Sequence, residues 1–130
     1  MKVMALDYGS ARTGVAVSDP TGTLARPVGV VEQAGAERGL AELARLVRAE
    51  DVECVVVGLP LTMGGTRGEQ VLETEGFVEA LRGVLDVPVE LFDERFTTDL
   101  AQRTGGTAPE DALAAAHLLS TYLEWCAARS

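Results

Sequence analysis

Residues 3–6 are apolar without a break, and the run stops at Asp7, where "YGSARTG" intervenes before apolar positions resume at Val15. A short continuous apolar run bounded by turn residues predicts a buried strand. "KVMALDYG" (2–9) and "RTGVAVSDPTG" (12–22) read as two strands joined by a short turn, and so as an antiparallel pair. "TLARPVGVVEQ" (23–33) gives a third strand. Pro27 within it predicts an edge position, because proline cannot donate to an inner ladder. From residue 36 the apolar spacing lengthens. In "AERGLAELARLVRAE" (36–50), Leu40, Leu43, Ala44, Leu46 and Val47 form one helical stripe.

The pattern then alternates between short and long periods. "VECVVVGLP" (52–60) is a strand, 59–68 a glycine-rich loop, 69–83 a helix and "VPVELFDE" (87–94) a strand. "TTDLAQR" (97–103) reads as a short helix and "GGTAPED" as a loop. "PEDALAAAHLLSTYLEWCAAR" (109–129) is the closing helix, with Pro109 suited to its first turn. Its apolar stripe is expected to run through Ala114, Ala115, Leu118, Tyr122 and Trp125. The order β-β-β-α-β-α-β-α-α describes an α/β sandwich with a mixed sheet. No repeat, low-complexity tract or linker interrupts it.

Composition narrows the picture. A chain of 130 residues, 47% hydrophobic and 24% charged, suits one domain, 1–130, with a full core. No apolar run is long enough for a membrane span, and the N-terminus lacks a signal-peptide pattern. Cys54 and Cys126 match no metal or redox spacing, so a reduced, cytoplasmic protein is expected. The net charge of −9 argues against broad electrostatic adherence to nucleic acid. Much of the acid gathers in helical stretches, however, whereas Arg12, Arg67 and Arg95 sit in candidate turns. Arginine forms bidentate contacts with phosphate, so a few placed arginines can act where the overall charge does not.

Three acidic positions carry candidate chemistry. Asp7 ends the first strand and shares its face with Val3 and Ala5. Asp93 and Glu94 end the last strand; alternation groups Asp93 with Val89 and Leu91, and Glu94 with Glu90 and Phe92, without saying which of the pair faces a site. Asp111 lies in the first turn of the closing helix, at the head of its apolar stripe, where an unpaired carboxylate is costly. Parallel strands present their carboxyl ends at one edge, where α/β folds place ligands. Carboxylates converging there repel one another unless a cation neutralises them, and all-oxygen donors suit Mg²⁺ or Mn²⁺. Two such ions about 4 Å apart promote phosphodiester cleavage. His117 lies on the Leu113–Ser120–Glu124 side of its helix and is expected at the surface. In "GLPLTMGGTRG", Gly64, Gly65 and Gly68 let backbone approach a phosphate and Arg67 adds charge, but no Walker sequence follows.

Four blocks in order, "LDYGSARTGVAVSD", "VVGLPLTMGGTRG", "DERFTT" and "EDALAAAHLLSTYL", resemble the YqgF-type family. These bacterial proteins, of ribonuclease H-like fold, are described as Holliday junction resolvases or as nucleases that mature the small-subunit ribosomal RNA precursor. The resemblance covers nearly the whole chain. It implies a five-stranded mixed sheet with the second strand antiparallel, flanked by helices. It implies Asp7, Glu94 and Asp111 as the catalytic and metal-binding triad. It implies Arg12, Gly65, Arg67, Arg95, Thr97 and Thr98 as positions that meet nucleic acid, either structured RNA or branched DNA. Ala11 stands where the family has lysine, Gly64 where it has aspartate, and the approach to Asp111 is short and lysine-free. The expectation is a metal-dependent nuclease, monomeric or weakly homodimeric, with no membrane partner. The alternative is a non-catalytic nucleic-acid or ribosome-assembly module on the same fold.

Overall fold

The computed structural model describes residues 1–9, 11–59, 68–93 and 110–129, with backbone alone for residues 59, 93, 110, 111 and 129. Five strands form one sheet: β1 (Val3–Asp7), β2 (Arg12–Ser18), β3 (Ala25–Glu32), β4 (Cys54–Leu59) and β5 (Val89–Asp93). Their spatial order is β3-β2-β1-β4-β5. β2 is antiparallel to both β1 and β3, while β1, β4 and β5 are mutually parallel. The helices are α1 (Glu37–Ala49), α2 (Glu69–Val84) and α3 (Glu110–Arg129).

The central strands are the apolar ones because both of their faces are covered. Met4, Leu6, Val15, Val17, Val55 and Val57 pack beneath α1 and α2, against Leu43, Val47, Phe77, Val78 and Leu81. On the other face, Val3, Ala5, Ala16 and Val56 pack beneath α3, against Ala115, Leu118, Leu119 and Tyr122. β3 is an edge strand and mostly half-buried, as Pro27 predicts, and a register shift at Val15/Ala16 leaves Pro27 opposite Ala16. β2 stops at Ser18 because Asp19 builds the next turn, accepting hydrogen bonds from the amides of Thr23 (2.8 Å) and Leu24 (3.0 Å).

Two expectations for α3 change. Trp125 is 41% exposed rather than part of the buried stripe. It lies edge-on to Phe92 of the edge strand β5, with ring centroids 5.7 Å apart, so its outer side faces solvent. His117 is half-buried rather than at the surface. On the same flank of α3, Ser120 and Glu124 line a cleft with Thr23, Leu24 and Ala25, where the chain enters β3. The helix expected at 97–103 and the loop at 60–67 fall outside the described residues.

The direction of α3 decides what meets what. The Tyr122 hydroxyl donates to Glu90 Oε2 (2.6 Å), near the start of β5. Tyr122, Leu123 and Cys126 also share a cleft with Met1 and Val3, at the start of β1. The second half of α3 therefore covers the amino ends of these strands, and the helix runs antiparallel to β1. From Tyr122 back to position 111 is about 16 Å of helix. From Val3 to Asp7 is about 13 Å of strand. The first turn of α3 thus arrives at the edge where β1, β4 and β5 end.

Candidate functional site

The site begins with the end of β1. Leu6 is level with Val57 of β4, which is level with Leu91 of β5. Asp7 follows one residue later, in the row of Gly58 and Phe92, and Asp93 is level with Leu59. Three parallel strands thus stop almost together. Val3 and Ala5 are buried beneath α3, so alternation puts Asp7 on the α3 face, where it is half-buried. Its partner across the antiparallel pair is Gly14, which projects no side chain.

Tyr8 takes the opposite face. Its ring stacks on Phe77 of α2, with centroids 4.3 Å apart and planes at 22°. Burial, and then the charge of Glu73, raise the Tyr8 phenol above its ordinary range. The neighbours of Asp7 are therefore both anchored, Leu6 in the core and Tyr8 against Phe77.

The turn after Tyr8 requires glycine at residue 9, because a Cβ there would stand 2.5 Å from the Arg12 carbonyl oxygen. The Gly9 amide donates to Thr13 Oγ1 and the Thr13 hydroxyl donates back to the Gly9 carbonyl, both at 3.4 Å. Thr13 is completely buried. The Gln33 amide donates to the Ala11 carbonyl (2.9 Å), tying the turn to the end of β3. Arg12 opens β2 opposite Glu32 and is exposed.

The contacts of β5 distinguish its two faces. Glu90 bonds Tyr122 of α3, and Phe92 packs in the cluster beneath α3. Val89 joins the cluster beneath α1 and α2. The even positions of β5 therefore share the α3 face with Asp7.

Of the expected site residues, the structure describes Asp7 and Arg12 fully and Asp111 as backbone in the first turn of α3. Gly65, Arg67, Glu94, Arg95, Thr97 and Thr98 lie outside the described residues. Among the described side chains, no three of His, Cys, Asp or Glu are grouped to hold a metal. Cys54 and Cys126 lie at the amino ends of the strands, away from this edge. Burial, and then the Glu90 charge, push the Cys54 thiol up to about 11, as suits an inert core residue. Among the described residues no helix is long and apolar enough to cross a membrane. Thr13 and Tyr8 were missed in the sequence. A threonine opening the apolar segment "TGVAVS" was the available signal for Thr13, and strand parity for Tyr8.

Residues 1–125 match the profile of the RuvX family, described as Holliday junction resolvase. A protein from Chloroflexus aggregans, named "Putative pre-16S rRNA nuclease", is 42% identical over 94% of this chain and 92% of its own length. One from Syntrophomonas wolfei with the same name is 38% identical over 95% and 94%. Thermus thermophilus RuvC, solved with a Holliday junction substrate, superposes with a TM-score of 0.65 at 17% identity, covering 96% of each chain. That likeness establishes the fold, which is ribonuclease H-like, as the four sequence blocks implied.

Proposed function

This chain belongs to the RuvX family of nucleases, and on that premise we propose that it hydrolyses phosphodiester bonds at the edge marked by Asp7. Its substrate is structured RNA, the 5′ region of the small-subunit rRNA precursor, in keeping with the names of its relatives. One observation carries the reading: Asp7 ends a central strand on the α3 face, and α3 runs antiparallel to β1, so that its first turn reaches the same edge.

Asp7, Glu94 and Asp111 are the catalytic carboxylates. Continuing the alternation of Glu90 and Phe92 by two residues supports Glu94 over Asp93. The buried repeat Ala115, Leu118 and Tyr122 leads back by helical spacing to position 111, which supports Asp111. This donor set is all oxygen, while both cysteines lie at the opposite ends of the strands, so it fits Mg²⁺ or Mn²⁺ in a pair of sites. When bound, such ions activate water and neutralise the leaving oxygen. The rigid strand aims Asp7, and the glycine at position 9 lets the turn pass close to a phosphate. Arg12, Arg67 and Arg95 clamp the phosphates, with Gly65, Thr97 and Thr98 contacting the same strand. The domain spans 1–130 and acts in the cytoplasm as a monomer or weak dimer.

The family description favours a second substrate, branched DNA. The test incubates the protein with Mn²⁺ and either an RNA carrying the leader and mature 5′ end or a four-way DNA junction, alongside Asp7→Asn. The expected result is cleavage of the RNA by the unmodified protein and a loss of at least about 100-fold in Asp7→Asn. Junction cleavage alone would transfer the activity to DNA. Binding of both substrates without cleavage in any divalent ion would leave a non-catalytic assembly module.

A further inference from the structure

Thr13 is completely buried at the start of β2, and among the described residues its hydroxyl pairs with Gly9 alone, the amide and the carbonyl, each at 3.4 Å. A buried hydroxyl needs such partners, since desolvating it unpaired is unfavourable. Valine would match its shape and pack equally well beside Val15 and Val17, so packing alone does not explain threonine here. What threonine adds is a fixed orientation for the Gly9 peptide, two residues beyond Asp7. Gly9 cannot settle this orientation itself, because its missing Cβ is required by the Arg12 carbonyl and leaves its backbone permissive. Other anchors hold the rest of the turn: Tyr8 on Phe77, and the Ala11 carbonyl on the Gln33 amide. We infer that Thr13 is a positioning residue, whose hydroxyl locks the Gly9 peptide and through it the backbone that carries Asp7 and leads to Arg12. The inference rests on the nuclease reading above for its consequence in turnover, but the lock itself can be read without substrate or metal.

The test compares Thr13→Val, which removes the hydroxyl and keeps the shape, with Thr13→Ser, which keeps the hydroxyl and loses a methyl. Amide hydrogen exchange at Gly9 and the backbone chemical shifts of Asp7 are measured on the metal-free protein; kcat and KM are measured with the RNA substrate in Mn²⁺. In Thr13→Val, Gly9 exchange should accelerate, the Asp7 shifts should move, and kcat should fall about tenfold or more with KM nearly unchanged. Thr13→Ser should restore all three, although it forfeits packing. A loss of turnover shared by both variants and tracking their melting temperatures would mean a structural residue only, and would overturn the inference. So would unchanged Gly9 exchange and Asp7 shifts in Thr13→Val. If the unmodified protein cleaves nothing, the nuclease reading fails, while the exchange and shift comparison still decides whether Thr13 sets the Asp7 backbone.

Discussion

Asp7 sits where its two neighbours leave it little freedom: Leu6 is fully buried and Tyr8 is stacked on Phe77. Across the antiparallel pair Asp7 faces Gly14. A carboxylate so held has little further ordering to undergo on taking up the divalent ions proposed above. Asp19, at the other end of β2, shows a carboxylate used for structure instead. Hydrogen bonds from the Thr21 hydroxyl and then from the Leu24 and Thr23 amides lower its pKa from 3.8 to about 2. The stability contributed by ionised Asp19 is therefore complete above about pH 4 and is lost as pH falls through about 2. Asp19→Asn is expected to be less stable than the parent near neutrality, with the gap closing as pH falls towards 2; urea unfolding across that range checks it, and a gap that widens in acid would refute it. At this scale the sequence was legible where alternation sufficed. The face of Asp7 followed from Val3 and Ala5. The choice between Asp93 and Glu94 did not, because alternation relates residues within a strand and does not say which face receives α3. The contact between Tyr122 and Glu90, 32 positions apart, marks the α3 face for Glu90, while Glu94 lies outside the described residues.

Each element was recognisable because burial imposes a period. Val3–Leu6 and Cys54–Val57 are apolar throughout because helices cover both faces, and Pro27 marks β3 as an edge. The direction of α3 was not readable, since a helical stripe has the same period in either sense. Trp125 was misassigned for a related reason: the stripe continues in sequence, but the sheet beneath it ends at β5. Two substitutions test the elements. Gly39 is buried in the first turn of α1, and a Cβ there would stand 2.2 Å from the Gln33 carbonyl oxygen. In an ordinary helix, Gly→Ala stabilises by up to about 1 kcal/mol. Here the clash is with backbone, so Gly39→Ala should instead destabilise by about 1–3 kcal/mol in chemical denaturation. Leu118 is 1% exposed between α3 and the sheet. Leu118→Ala should cost about 2–5 kcal/mol, and a cost below about 1 kcal/mol would contradict the packing of α3 described above.

The whole molecule carries a net charge of −9, yet is proposed to grip a polyanion. The two are compatible if binding rests on a few placed arginines and on divalent ions rather than on a basic surface. With three phosphate-contacting arginines, raising monovalent salt from about 50 to about 200 mM should weaken binding by about 40-fold. A loss of about 1,000-fold or more in filter binding would require a basic surface that this composition does not provide. Order and class of the eight described elements were written along the chain because each is a local pattern; the proposed convergence of the acids was not, because it depends on long-range pairing and on the sense of α3. The central claim is that Asp7, Glu94 and Asp111 share divalent ions at the carboxyl edge of the sheet. Anomalous diffraction from crystals soaked in millimolar Mn²⁺ tests it most directly. Manganese peaks bonded to carboxylate oxygens of all three residues are expected; manganese absent from Asp7, or bound there without the other two, would refute the shared site.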